Sequence, residues 1–305
     1  MPVVTTRIRG RFAPSPSGPL HFGSLIAAVG SYLQAKSTAQ QMGSPGQWLV
    51  RIEDIDTPRT VPGAASEILR TLEQFGLLWD ETEVYQSQRL DFYQHYFEQF
   101  QQRGLLYPCQ CNRARISQLG GIYDGFCAKH SQISPTEPFA WRLKAQHVAT
   151  SFLDGVYGDV QIATELAHED YVIKRRDGLF AYQWVVVLDD FEQQITEVVR
   201  GADLLTMTPR QQALFAELGS EPPRYAHLPL AVTAPGHKLS KQNHATDIRI
   251  WPKSQSLVAA LSLLGHTPPL AIQQEQCSVI LQWALANWRL NQVPKQLEVT
   301  VPEFG

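Results

Sequence analysis

The sequence predicts an α/β fold: a parallel sheet interrupted by an insertion and followed by a short helical region. Three observations carry that expectation. Short apolar runs alternate with helix-period stretches at the start. The pattern gives way near Gln86 to a polar-aromatic stretch rich in cysteine, and it resumes near Tyr182. A chain of 305 residues can hold two small domains, or one domain carrying an insertion.

Arg7 to Ala13 reads as a strand that stops at the turn-forming run Pro14-Ser15-Pro16-Ser17-Gly18-Pro19. Apolar residues at helical spacing come next, at Leu25, Ile26, Val29, Tyr32 and Leu33. Trp48 to Ile52 is a second strand, and Ala64 to Phe75 a second helix. A long helix, Arg89 to Gln102, leads into the Cys109 to Cys127 loop and then to short strands with turns at Asp154-Gly155 and Asp177-Gly178. The α/β pattern resumes with Trp184-Val185-Val186-Val187-Leu188, read as a strand, then Ile195 to Val199, a helix near Thr208 to Leu218, and Leu228 to Val232. The resulting boundaries are 1–85 with 182–235 for the split α/β unit, 86–181 for the insertion, and 236–305 for a lysine-bearing loop and helical region.

Composition narrows the function classes. An apolar share of 44% with 10% aromatics supports a sizeable core and argues against disorder. A net charge of −3 excludes blanket basicity, so a nucleic-acid partner has to be held by a local basic patch and by shape. Arg7, Arg9 and Arg11 are not followed by the apolar stretch of a secretory leader, and no run approaches the roughly 18 apolar residues of a membrane span. Three of the four cysteines are crowded together, which does not suit a secreted disulfide framework. A reducing cytoplasm is the expected compartment.

The strand-turn-helix start places His21-Phe22-Gly23-Ser24 where a helix opens. A helix N-terminus offers free N–H groups and partial positive charge, which suits phosphate. Gly18 and Gly23 let backbone or a flat base approach closely, and His21 can donate to a phosphoryl oxygen. No Gly-Lys-Ser/Thr comes after it, so this is not a Walker loop. More than two hundred residues later comes Lys238-Leu239-Ser240-Lys241-Gln242, after Pro235-Gly236. Two lysines three apart can neutralise charge building on a departing pyrophosphate. Each half alone is a weak signal; in this order within an α/β pattern they reinforce one another.

Cys109, Cys111 and Cys127 offer three thiolates that could share one metal, and tetrahedral zinc wants a fourth ligand. On chemistry alone His130, three residues after Cys127, is the conventional choice. The role would be structural. Cys277 reads as core.

The paired motifs resemble the HIGH and KMSKS elements of class I aminoacyl-tRNA synthetases. R-F-A-P-S-P-S-G-P-L-H-F-G-S with R-I-E-D-I-D is similar to the glutamate and glutamine branch. Ser24 stands in place of the second His, and Gln242 in place of the final Ser. The resemblance implies a Rossmann-like nucleotide-binding sheet split by a zinc-containing subdomain. It also implies ATP held by His21, Gly23, Ser24 and Lys241, with His21, Lys238 and Lys241 as the catalytic groups and Mg²⁺ bound mainly by phosphate and water. For glutamate it implies Arg11 and Arg200 at the side-chain carboxylate, Glu53 at the α-ammonium, and Tyr182, Ala13 and Ser15 lining the site. For zinc it implies Cys109, Cys111 and Cys127 with the Tyr123 oxygen as fourth ligand, in preference to His130.

The stretch after Gln242 is shorter than the roughly 100 residues a further domain usually needs, so no anticodon-reading domain is expected. The resemblance covers nearly the whole chain and is greatest to the glutamyl-Q tRNA(Asp) synthetase family, whose members attach glutamate to queuosine in the anticodon loop of the aspartate tRNA. It implies the anticodon stem-loop of tRNA(Asp) as partner, with Arg113, Arg115, Lys129, Lys174, Arg175 and Arg176 as candidate phosphate contacts. Two rival readings are a conventional glutamyl-tRNA synthetase core that charges the tRNA 3′ end, and a non-catalytic amino-acid sensor or tRNA-binding module. The retained His21, Lys238 and Lys241 weigh against a sensor.

Overall fold

The computed structural model describes residues 7–130, 137–234, 237–238 and 247–301. Its main sheet has seven strands: β1 (Ile8–Phe12), β2 (Gly46–Ile52), β3 (Val84–Tyr85), β6 (Ser151–Asp154), β7 (Gly158–Gln161), β9 (Glu197–Gly201) and β10 (Arg224–Leu228), in the order β3-β2-β1-β9-β10-β6-β7. All neighbours are parallel except the β6–β7 hairpin. From β1 the chain builds outward to β2 and β3, then returns on the other side of β1 as β9 and β10. That reversal creates a crevice at the carboxyl ends of β1 and β9, where open α/β sheets take their ligands.

Helix α1 (Phe22–Met42) crosses the sheet at close range because small residues face it. A Cβ on Gly10 would lie 2.8 Å from the Ala35 methyl, and one on Gly46 would lie 2.3 Å from that of Ala39. Burial of Leu25, Ile26, Val29 and Leu33 then fixes the helix over a core that also takes Trp48, Val50 and Leu228. Helix α2 (Ala64–Gln74) joins the same core through Ile68 and Leu72.

The inserted stretch carries α3 (Leu90–Gln102), β4 (Leu106–Cys109), α4 (Arg113–Gln118), α5 (Phe126–Lys129), β5 (Ala140–Leu143), α6 (Thr164–Ala167) and β8 (Tyr171–Lys174). Strands β4, β5 and β8 form their own antiparallel sheet, while the β6–β7 hairpin adds to the edge of the main one.

The run Trp184–Leu188, expected as a strand, lies inside helix α7 (Tyr182–Glu192). Trp184 to Asp190 are all buried, so the helix meets protein on every side and shows no amphipathic period. It packs with α3, α8 (Thr208–Glu217) and β8 around a second core that includes Phe97, Phe100 and Phe215. The stretch Leu228 to Val232 is likewise two strands. Pro229 separates β10 from β11 (Leu230–Ala234), which belongs to a small sheet with β12 (His237–Lys238) and β13 (Glu298–Thr300). Helices α9 (Lys253–Leu263) and α10 (Cys277–Asn287) make up the helical region, with Cys277 against the main core. Among the described residues no helix is long and apolar enough to cross a membrane.

Candidate active site

The crevice at the sheet's switch point is a cavity of about 670 Å³. Strand ends supply its charged wall: Arg11 from β1, Glu53 just past β2, and Arg200 from β9. Ala13, Ser15 and Tyr182 line it too, as do His21, Gly23 and Ser24 at the start of α1. All the residues expected to hold an amino acid therefore share one cavity with the expected phosphate corner.

His21 is the N-cap of α1. Its backbone is extended, Nδ1 accepts from Ser24 N–H at 3.3 Å, and Nε2 lies 3.0 Å from Ser24 Oγ. Lys238 lies on β12, paired with β11, whose residues Leu230 and Ala231 line the cavity. Lys241 falls outside the described residues. The chain is next described at Asp247, which forms an isolated β-bridge with His21. One described end of the lysine-bearing segment thus meets the cavity-lining His21, and the other pairs with Val232, the residue after the cavity-lining Ala231.

The two arginines differ in what they hold. Arg11 is paired at two points with Asp190 of α7. Arg200 donates to His227 Nε2 at 3.0 Å, Gln211 Oε1 at 2.6 Å, Thr208 Oγ1 at 2.9 Å and the Leu204 carbonyl at 3.3 Å. Every one of those acceptors is uncharged, and among the described residues no carboxylate pairs with Arg200. At 5% exposure it is a buried cation without a counter-ion.

Glu53 is its opposite. Its Oε1 is buried without a hydrogen-bond partner and meets Arg51 Nη2 only at 3.9 Å. Burial raises the carboxyl to about 7, against the pull of Arg51 and Arg11. Tyr182 opens α7 nearby, and burial raises its hydroxyl pKa as well.

Sequence reasoning missed Asp189, Asp190, Arg51, His227 and Asp154. Asp190 pairs with Arg51 Nη1 at 2.8 Å, while Asp189 accepts from Gln86, Arg89 and Tyr93. The carboxylate doublet directly after an all-apolar run was the available signal, since buried acids demand partners. His227 and Asp154 carry no comparable local mark.

In the inserted stretch the three sulfurs of Cys109, Cys111 and Cys127 lie within 4.8 Å of one another, with Cys111 and Cys127 at 3.5 Å. Thiolates about 2.3 Å from a tetrahedral zinc stand roughly 3.8 Å apart, so the donor set fits such an ion. Burial, followed by the neighbouring thiols, pushes the Cys111 thiol up to about 12. The Tyr123 hydroxyl reaches the cluster and accepts from Cys127 N–H at 2.7 Å. His130 does not join it: Nδ1 lies 3.0 Å from the Phe126 carbonyl oxygen and the ring stacks on Phe126. Of the basic candidates, Arg115 pairs with Asp124, Arg175 with Asp56 and Asp177, and Lys174 with Gln94. Arg176 and Lys129 donate to backbone carbonyls, and Arg113 is exposed.

A parallel sheet with its cleft at the switch point and a helix N-terminus in that cleft make a nucleotide-binding fold of the kind found in class I aminoacyl-tRNA synthetase catalytic domains. The family model of that description, tRNA synthetases class I (E and Q), catalytic domain, matches residues 7–278. Among similar proteins, the glutamyl-Q tRNA(Asp) synthetase of Vibrio vulnificus is 53% identical over 291 residues, covering 95% of this chain and 93% of that one. The one of Photobacterium profundum is 52% identical over 294 residues, covering 96% and 92%. A solved glutamate tRNA ligase of Elizabethkingia meningosepticum, in complex with its amino acid, superposes with a TM-score of 0.77 at 25% identity, covering 97% of this chain and 67% of that one. The chain belongs to the glutamyl-Q tRNA(Asp) synthetase family and is an enzyme of the ligase type. Class I synthetases use ATP, and the cysteine triad could hold a metal.

Proposed function

We propose that this enzyme activates glutamate with ATP and transfers it to queuosine in the anticodon loop of tRNA(Asp). One observation carries the substrate reading: a single cavity is lined both by a buried cation, Arg200, and by a buried carboxyl, Glu53, and among the described residues Arg200 has no counter-ion and one Glu53 oxygen no hydrogen-bond partner. An amino acid with an acidic side chain satisfies both, its side-chain carboxylate on Arg200 and its ammonium on Glu53. Arg11, Tyr182, Ala13 and Ser15 complete the pocket in this reading.

The α-carboxylate of glutamate then attacks the α-phosphorus of ATP in line. The bond to the bridging oxygen breaks and pyrophosphate leaves. His21, Gly23 and Ser24 at the helix start hold the triphosphate, with Lys238 and Lys241 neutralising the leaving pyrophosphate. Magnesium would be carried by the phosphates. In the second step a queuosine hydroxyl oxygen bonds the acyl carbon of the mixed anhydride, the acyl–phosphate C–O bond breaks, and AMP departs with its phosphate or solvent taking the hydroxyl proton. No enzyme nucleophile is required.

The inserted stretch, 86–181, would meet the RNA. Zinc on Cys109, Cys111, Cys127 and Tyr123 would pin its loop, and Arg113, Arg115, Lys129, Lys174, Arg175 and Arg176 would contact phosphate. The remaining segments are assigned as 1–85 with 182–235 for catalysis and 236–305 for the lysine loop and helical region. Cytoplasmic tRNA is the expected substrate pool.

ATP–pyrophosphate exchange with each amino acid tests the first step. Glutamate alone should support exchange, and Arg200→Ala and Glu53→Ala should each abolish it while ATP still binds. Normal exchange in either variant would remove the pocket assignment.

A further inference from the structure

We propose that His227 and Asp154 are positioning residues for Arg200, aiming its guanidinium at a substrate carboxylate through the tautomer of the imidazole. The inference rests on the reading of Arg200 as the carboxylate-binding cation.

The His227 and Asp154 side chains are both fully buried, at 0% exposure each. Asp154 closes β6, and its Oδ1 accepts from the backbone N–H groups of Val156 at 2.9 Å, Tyr157 at 3.0 Å and His227 at 3.3 Å. Three donors on one oxygen leave the carboxylate no freedom to turn. Its other oxygen, Oδ2, faces His227 Nδ1 at 2.6 Å, and His227 Nε2 faces Arg200 Nε at 3.0 Å.

The chemistry of the two ends decides where the imidazole proton sits. A guanidinium only donates and a carboxylate only accepts. The ring therefore carries its proton on Nδ1 and turns a lone pair toward Arg200. Burial holds the ring neutral, its pKa below the ordinary histidine value despite Asp154. Arg200 thus gains a fixed acceptor without gaining a neutralising anion in contact. Gln211 and Thr208 fix the other two nitrogens in the same way, with neutral oxygens. The result is a guanidinium locked in direction with its charge left for a ligand. That arrangement favours a carboxylate over the carboxamide of an otherwise identical substrate, because only the anion supplies the missing charge.

Asp154→Asn tests the relay with an isosteric change. The three backbone donors keep the amide oxygen in the Oδ1 place, so the amide NH₂ faces Nδ1 and forces the imidazole proton onto Nε2. An N–H then opposes the Arg200 N–H. The KM for glutamate in ATP–pyrophosphate exchange should rise about tenfold or more, the loss of one well-made bond to a charged group. The KM for ATP should stay unchanged and discrimination against glutamine should fall. Long-range ¹⁵N–¹H spectra of histidine-labelled protein should show Nδ1–H at His227 in the parent protein and Nε2–H in the variant. His227→Gln, which offers an oxygen acceptor with no tautomer, should raise the glutamate KM less than His227→Leu. A parent spectrum with the proton on Nε2 overturns the proposal. So does a switched tautomer with an unchanged glutamate KM, or equal increases in both KM values for His227→Gln and His227→Leu. Failure of the underlying reading shows elsewhere: Arg200→Ala would keep its glutamate KM, whatever the tautomer of His227.

Discussion

The carboxylate of Asp190 grips the guanidinium of Arg11 at two points, Nε to Oδ1 at 3.0 Å and Nη2 to Oδ2 at 3.2 Å. Both side chains are almost wholly buried, and the same carboxylate also takes Arg51. Arg11 therefore enters the cavity wall already neutralised, whereas Arg200 does not. The two arginines that the sequence groups together divide the work: one is part of the frame, and the other has its charge available.

Asp190→Ala should accordingly be a stability variant first. It leaves Arg11 and Arg51 buried beside only Asp189 and Glu53, and breaking a buried ion pair from one side costs about 3–5 kcal/mol. Urea unfolding at neutral pH should show a loss of that size. A loss below about 1 kcal/mol would mean that water or Asp189 takes over the pairing, and the frame would have to be redrawn.

Glutamate binding should be pH-dependent through Glu53. Burial raises its carboxyl to about 7, and an ammonium ligand needs the ionised form. Below pH 7 the ligand must expel a proton, so affinity should fall about tenfold per pH unit. Calorimetry at pH 6 in buffers of different ionisation enthalpy should detect close to one proton released, and Glu53→Gln should flatten the profile. Since the folded state holds this proton more tightly than the unfolded chain, Glu53 should lower the stability of the ligand-free enzyme as pH rises from 4.5 through 7. Affinity that stays constant from pH 6 to 8 would be fatal to the ammonium assignment.

How far the sequence could lead is visible in particular residues. Arg11, Glu53 and Arg200 were legible only through the resemblance to the glutamate branch of the class I synthetases, because a single arginine or acid at a strand end is otherwise an ordinary surface pair or helix cap. The structure brings all three to the crevice at the strand ends. Trp184 to Leu188 misled because a helix buried on every side has the same uniform apolar run as a buried strand. Pro229 marked the break between β10 and β11, yet the apolar residues around it read as one run. His227 and Asp154 were beyond reach: they lie 73 residues apart and meet only because β10 and β6 are neighbours in the sheet.

The metal prediction separates two candidate ligands. Purified protein should carry about one zinc per chain, as a single tetrahedral site implies. Cys109→Ser and Cys127→Ser should lose it, and Tyr123→Phe should weaken it, since the Tyr123 hydroxyl lies at the sulfurs. His130→Ala should retain it, because that ring is turned onto Phe126. Metal analysis in which His130→Ala empties the site would reverse the choice of fourth ligand.

The acceptor is the remaining choice, and its test lies in the RNA. The relatives that match over nearly their full length, 93% of the Vibrio vulnificus protein, are named for glutamyl-Q and tRNA(Asp). The solved glutamate tRNA ligase is covered over 67% of its length. An enzyme that reads its tRNA where the chemistry happens needs bases it can stack on and hydrogen-bond, and single-stranded loops provide them where a stem does not. Arg175, ion-paired with Asp56, lines a chamber of about 250 Å³ that shares Glu53 and Tyr182 with the cavity, and it and the exposed Arg113 are the phosphate contacts to test under the proposed function. Transfer of labelled glutamate should therefore succeed with an isolated anticodon stem-loop of tRNA(Asp) bearing queuosine, and fail with the same stem-loop bearing guanosine. An acceptor-stem minihelix should stay unlabelled. Substituting Arg113 or Arg175 by Ala should weaken stem-loop transfer and reduce its salt dependence while leaving ATP–pyrophosphate exchange with glutamate intact. Glutamate recovered on the minihelix instead would place this enzyme with the synthetases that charge the tRNA 3′ end.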